Sequence, residues 1–120
     1  MLNFDSLLIF SENPKKLTGF YQKILSAKTD WEGGDFCGFK VGSCMLIIGP
    51  HDKVKGKNQN PERIMLNLST DHFEKEYERI TKAGVKVIAK PYHPGEDLTM
   101  TLATFADPDG NFFQLGTQMK

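Results

Sequence analysis

Two amphipathic helical stripes, each preceded by one short strand and followed by three, set the limits on this fold. The first is opened by Asn13, a good N-cap, and by Pro14, which suits the first helical position. Behind them Leu17, Phe20, Tyr21, Ile24 and Leu25 recur at i, i+3, i+4, i+7 and i+8, so one face of this helix must cover something. The second is opened by Asp71, with Glu74 completing an Asp-x-x-Glu capping box. Its stripe is Phe73, Tyr77 and Ile80, and Gly84 after Ala83 stops it. The two caps lie 58 residues apart. Side-chain identity between the halves is negligible, so the repeat is one of pattern.

Strand signals complete each half. In the first they cover residues 3–10, 27–31, 36–41 and 44–48, with Gly33-Gly34 between the second and third and Gly42-Ser43 as a two-residue hairpin turn. In the second they cover 63–69, 85–90, 99–105 and 112–115. Residues 50–62 are polar, contain two prolines, and read as a linker. The expectation is an α+β fold in one domain, 1–120, made of module one (1–49), the linker (50–62) and module two (63–120). Each βαβββ module is a curved mixed sheet with a helix on its convex face, and the two together form a cleft. Period-two alternation puts Leu7, Ile9, Leu66 and Leu68 under the helices. Ser6, Leu8, Phe10, Met65, Asn67 and Ser69 fall on the opposite faces.

Charge and composition exclude several classes. Fifteen basic residues balance fifteen acidic ones, which argues against nucleic acid or an anionic membrane as partner. The longest apolar stretches, 7–10 and 44–48, are too short to span a bilayer. No basic segment leads into an apolar run at the start of the chain, so no signal peptide is expected. Cys37 and Cys44 lack zinc-type spacing and would face Ile48 and Val41 across a hairpin, so they are not disulfide partners. A reduced, cytoplasmic protein follows. Lys53, Lys55 and Lys57 read as a solvated loop, and Lys40-Val41-Gly42-Ser43 lacks the glycine spacing of a phosphate loop.

The most specific segment is Phe105-Ala106-Asp107-Pro108-Asp109-Gly110-Asn111-Phe112-Phe113-Gln114-Leu115. Locally it is a turn: Pro108 presets φ, the aspartates cap backbone donors, and Gly110 accepts a left-handed conformation. With the Phe20-Tyr21 pair, the Ala83-Gly84-Val85 helix exit and the doubled βαβββ order, it resembles the vicinal oxygen chelate superfamily. That superfamily holds glyoxalase I, bleomycin-resistance proteins, fosfomycin-resistance enzymes and extradiol dioxygenases.

The resemblance implies a divalent metal on the concave sheet face, held by His, Glu or Gln and acting as a Lewis acid. Counted from the motifs, those positions fall on Ser6, Met65 and Gln114, with a fourth near the end of 44–49, where only Cys, Met, Leu, Ile and Gly stand. Hydroxyl, thioether and neutral amide are poor ligands for such an ion. No metal, no cofactor and no catalytic residue is therefore expected. His51, His72 and His93 read as loop or helix-start histidines rather than ligands.

The reading that follows is a metal-free binding protein similar to the drug-sequestering branch of the superfamily. Its candidate ligand-binding residues are Ser6, Leu8, Trp31, Phe39, Met65, Asn67 and Gln114. Trp31, Phe36 or Phe39 would stack on a planar ring, and Asn67, Gln114 and Ser6 would supply hydrogen bonds. The neutral charge points to an aromatic or polar metabolite rather than a strongly cationic drug. The alternative is a metal-dependent enzyme of glyoxalase or dioxygenase type with displaced ligands such as Asp5, His51 or Gln114. A homodimer is expected, since each module leaves an open sheet edge.

Overall fold

The structure, a computed structural model, describes residues 1–118. The chain forms two compact units, Met1–Gly56 and Lys57–Lys120. In the first, β1 (Ser6–Phe10) and α1 (Pro14–Leu25) precede β2 (Trp31–Gly33), β3 (Phe36–Val41) and β4 (Cys44–Gly49). In the second, β5 (Leu66–Thr70) and α2 (Phe73–Lys82) precede β6 (Lys86–Tyr92), β7 (Leu102–Ala106) and β8 (Phe112–Thr117). The sheets have the same order, β1-β4-β3-β2 and β5-β8-β7-β6, with the first strand parallel to the last and the others antiparallel. This is the α+β architecture of paired βαβββ modules that the pattern predicts.

Helix α1 starts where the sequence places it. The Asn13 side chain accepts from the Lys16 N–H at 3.3 Å, and Pro14 occupies the first turn. Leu17, Tyr21 and Ile24 are buried against the sheet, while Phe20 and Leu25 flank them half-exposed. Burial of such side chains contributes about 1.5–3 kcal/mol each. Helix α2 departs from the expected capping box. Its N-cap is His72, without a side-chain cap bond. Thr70 Oγ1 instead accepts the His72 N–H at 3.0 Å. The Gln118 amide, turned with its nitrogen toward Asp71, donates to that carboxylate at 2.6 Å. Asp71 is thus occupied by the end of β8 and is not free to cap.

Strand limits shift for identifiable reasons. The expected strand 3–10 shortens because the β1–β4 ladder begins at Ser6–Met45, preceded only by the Met45 N–H bond to Asp5 O. The expected strand 27–31 moves to Trp31–Gly33, because α1 ends on a left-handed Ser26 and β2 pairs back on β3 across Gly34-Asp35, with Gly33 itself paired to Phe36. Strand β6 runs on through Pro91 with two register shifts. It is an edge strand, the place in a sheet where proline is tolerated. The linker contains no helix or strand, and its two ends are held by different units. Gly56 N–H donates to Glu12 Oε1 at 3.1 Å, while Asn58 N–H donates to Asp109 O at 2.8 Å.

The Asp107–Asn111 turn is fastened by one carboxylate. Asp107 is 5% exposed. Its Oδ1 accepts the backbone N–H groups of Asp109 and Asn111 at 2.9 and 3.0 Å, and its Oδ2 accepts Asn111 Nδ2 at 3.0 Å. Gly110 sits at φ +79°, which only glycine adopts without strain.

Candidate ligand-binding faces

Strand register decides which side chains look away from each helix. In the first sheet Thr18 Oγ1 of α1 lies 3.1 Å from Cys37 Sγ, so Cys37 is on the helix side. Its partner Ile48, and Ile9 beside that, share this side. Two residues along, so do Phe39, Leu46 and Leu7. Phe39 is therefore not part of a ligand face. It is a core residue with no exposed surface, and this corrects the expectation that it stacks on a ligand.

The opposite, open face carries three rows. Ser6, Met45 and Lys40 form the first, and Leu8, Ile47, Gly38 and Trp31 the second. Phe10 and Gly49 form the third, with the Phe36 ring lying over Gly49, where a Cβ would overlap it. Trp31 and Leu8 are 47% and 49% exposed. The Phe10 and Phe36 rings meet edge-to-face at 6.2 Å, and His51 meets Phe10 edge-to-face at 5.1 Å.

In the second sheet Tyr77 of α2 contacts the Phe105 ring at 5.6 Å, and Phe105 stacks on Phe113 at 5.4 Å. That fixes Leu66, Phe113 and Phe105 on the helix side, with Leu68, Leu115 and Ala103 beside them. The open face then has a polar row, Asn67, Gln114 and Thr104, next to Ser69, Gly116 and Leu102. Met65 precedes β5 and is half-buried. Among the described residues the side chains of Ser6, Asn67 and Gln114 make no hydrogen bond within the protein. Free amide groups on an open face are available to a ligand.

Of the residues singled out from sequence, the structure brings Ser6, Leu8 and Trp31 onto one open face and Asn67 and Gln114 onto the other. Met45, Ile47 and Lys40 join the first face without having been singled out. The signal for them was present in the alternation of β4 around Gly49 and of β3 around Gly38. Away from both faces, a surface groove between α2 and the end of β6 is lined by residues including Asp71, His72, Glu74, Tyr77, Tyr92 and His93. Nothing in the sequence pattern marks it. Nearby, the hydroxyl and then the backbone N–H of Thr99 hold the Asp97 carboxyl below its ordinary value, with a smaller pull from His93.

The donors do not fit a divalent metal. Ser6 has Met45 as cross-strand neighbour, and next along that row stands the ammonium-bearing Lys40, which repels a cation. Gln114 is flanked by a neutral amide and a hydroxyl. Among the described residues no group of three or more His, Cys, Asp or Glu is placed to hold an ion. The displaced-ligand alternative meets a distance problem as well. Asp5 lies before the Ser6–Met45 end of the β1–β4 pair and His51 beyond its Phe10–Gly49 end. The intervening strand spans about 16 Å at roughly 3.3 Å per residue, too far for one ion.

The superfamily described as glyoxalase/bleomycin resistance protein/dioxygenase matches residues 3–115. Solved structures agree on the fold. One described as a conserved domain protein is 21% identical with a TM-score of 0.81, over 98% of this chain and 100% of that one. A glyoxalase/bleomycin resistance protein/dioxygenase family enzyme from Burkholderia phytofirmans PsJN is 18% identical with a TM-score of 0.78, again over 98% and 100%. The fosfomycin resistance protein FosX from Listeria monocytogenes is 20% identical with a TM-score of 0.68, over 99% and 93%. A search of curated protein sequences found no match. Matched over nearly its whole length and built as paired βαβββ modules, this chain belongs to the glyoxalase/bleomycin resistance protein/dioxygenase superfamily.

Proposed function

We propose that this protein binds a small aromatic or polar molecule on its open sheet faces, without a metal ion. The supporting observation is the chemistry of those faces. Where relatives of glyoxalase type would need carboxylate and imidazole, this chain presents Ser6, Met65 and Gln114. Beside them it offers surfaces suited to an organic ligand: exposed Trp31 and Leu8 on one sheet, unpaired Asn67 and Gln114 on the other. In this reading Trp31 of the first sheet stacks on a ligand there, with Leu8 packing and Ser6 bonding, while on the second sheet Met65 offers a packing surface and Asn67 and Gln114 offer bonds. The protein acts as a homodimer in the cytoplasm, its two cysteines free. No helix among the described residues is long and apolar enough to cross a membrane.

The deciding experiment is elemental analysis after expression with Zn, Ni, Mn and Fe(II) supplied. Metal well below one ion per chain, with no thermal shift on adding it, is expected. A stoichiometric ion would overturn the reading. Sedimentation tests the dimer, and a monomer at high concentration would defeat that part.

A further inference from the structure

The rows of the first sheet narrow the ligand class. We infer that this face is a stacking floor for a planar aromatic ring bearing an anionic group, with Trp31 as the ring's partner and Lys40 as the anion's. The inference rests on the small-molecule reading above and deepens it.

The floor is flat because glycines stand where side chains would otherwise project. A Cβ on Gly33 would lie 2.6 Å from the Trp31 indole. On Gly38 it would lie 3.0 Å from Met45 Sδ and 3.5 Å from Trp31. Gly49 likewise leaves room for the Phe36 ring to lie over the strand. Rings and a thioether thus cover bare backbone. Such a surface gives a planar, polarisable ring contact across its whole face, which a puckered ring cannot obtain. Phe10, Phe36 and His51, joined edge-to-face, close the far end of the floor.

Charge selects the sign of the substituent. Lys40 is the one formally charged residue in the three rows, and among the described residues it is in no ion pair. It stands one row from Trp31, about 6.6 Å along the strand, within reach of its four-carbon arm. A carboxylate on a ring over Trp31 therefore meets an ammonium, and the neighbouring acid, Asp30, is already engaged, its Oδ2 accepting the Lys40 backbone N–H at 2.6 Å. At the far end, His51 Nδ1 accepts the Lys53 N–H at 3.1 Å. The Asp52 carboxylate, 3.2 Å from the same Nδ1, is mostly exposed and competes weakly for it.

The test compares three probes by calorimetry and by amide shifts of the labelled full chain: 2-naphthoate, cyclohexanecarboxylate and 2-(aminomethyl)naphthalene. The expected result is 2-naphthoate binding at least about tenfold tighter than either control. Shifts should centre on Leu8, Trp31, Gly38 and Ile47. Lys40→Met and Trp31→Ala, both at exposed positions, should each remove most of that preference while leaving the remaining amide spectrum intact. Equal affinity for the three probes, or an unchanged preference in both variants, overturns the inference and leaves small-molecule binding standing. Naphthoate shifts centred on Asn67 and Gln114 do the same, moving the ligand to the other sheet. Absence of shifts on either sheet with all three probes overturns the inference, and a wider metabolite screen then judges the broader reading on its own.

Discussion

Replacing Gly49 by alanine tests the glycine floor through stability alone. The new Cβ would overlap the Phe36 ring, which must leave its place over β4. Displacing the ring uncovers about 40 Å² of apolar contact, a fifth of what an aromatic side chain usually buries, or about 1 kcal/mol. Its edge-to-face contact with Phe10 is lost too, for about another 1 kcal/mol. Forcing χ angles off their minima adds roughly 1 kcal/mol. Alanine recovers about 0.5–1 kcal/mol over glycine in a strand. The net loss is about 2 kcal/mol, or about 8 °C in Tm at roughly 2.1 cal/mol/K per residue. The assay is a double-mutant cycle by urea unfolding with Phe36→Ala. In the double variant the clash is gone and only the alanine gain is left, so it should be about 0.5–1 kcal/mol more stable than Phe36→Ala. Additive losses, or a Gly49→Ala protein as stable as the parent, would show that the ring does not rest on this glycine.

Two other perturbations probe the turn and the Asp97 loop. Asp107→Ala leaves three donors without their acceptor in a buried turn and should cost about 3 kcal/mol by urea unfolding. Asp107→Asn should lose about 1 kcal/mol, because its amide oxygen keeps the two backbone N–H bonds and only the bond to Asn111 Nδ2 is lost. Asp97 has a folded-state pKa below its unfolded value, chiefly from the Thr99 hydroxyl and then the Thr99 N–H. Its contribution is therefore present above the ordinary value of 3.8 and lost as pH falls through the folded value. An NMR titration should show Thr99→Ala moving the Asp97 midpoint up toward 3.8, and an unmoved midpoint would refute the assignment.

How far the fold could be read from sequence depended on whether the deciding contact was local. Asn13 and Pro14 gave the start of α1 because the cap is made within one turn. Asp71 misled, because its carboxylate is engaged by Gln118 from the end of β8, a contact no local pattern contains. In β3 the sequence offers Phe36 and Phe39 alike as stacking residues, and the period-two rule puts them on opposite faces, since they lie three residues apart. It could not say which of the two looks inward. That sense is set by Thr18 of α1 meeting Cys37, a contact between helix and sheet. Counting from motifs picked out Ser6 and Gln114, and both lie on the open faces. The floor beside Ser6 was not legible, because its cause is the absence of side chains at Gly38 and Gly49. Glycine in a strand reads first as a weak strand signal.

The open faces also bear on how one frame can carry different site chemistries. Side chains on the helix side, such as Leu46, Phe113 and Phe105, carry the buried area. Ser6, Asn67 and Gln114 look the other way and make no side-chain hydrogen bond among the described residues. Residues placed like this cost little to replace. Ser6→Ala, Asn67→Ala and Gln114→Ala should each change stability by less than about 0.5 kcal/mol. Phe113→Ala should cost about 3–5 kcal/mol, since a fully buried ring leaves a cavity. Urea unfolding of the four variants measures the contrast. A loss above about 1 kcal/mol for Asn67→Ala or Gln114→Ala would mean that the polar row holds the sheet together. It would then be a structural element, with no amide to spare for a ligand. The small expected change instead leaves these positions answerable to what they bind, so the chemistry of the face can change while the helix side keeps the fold.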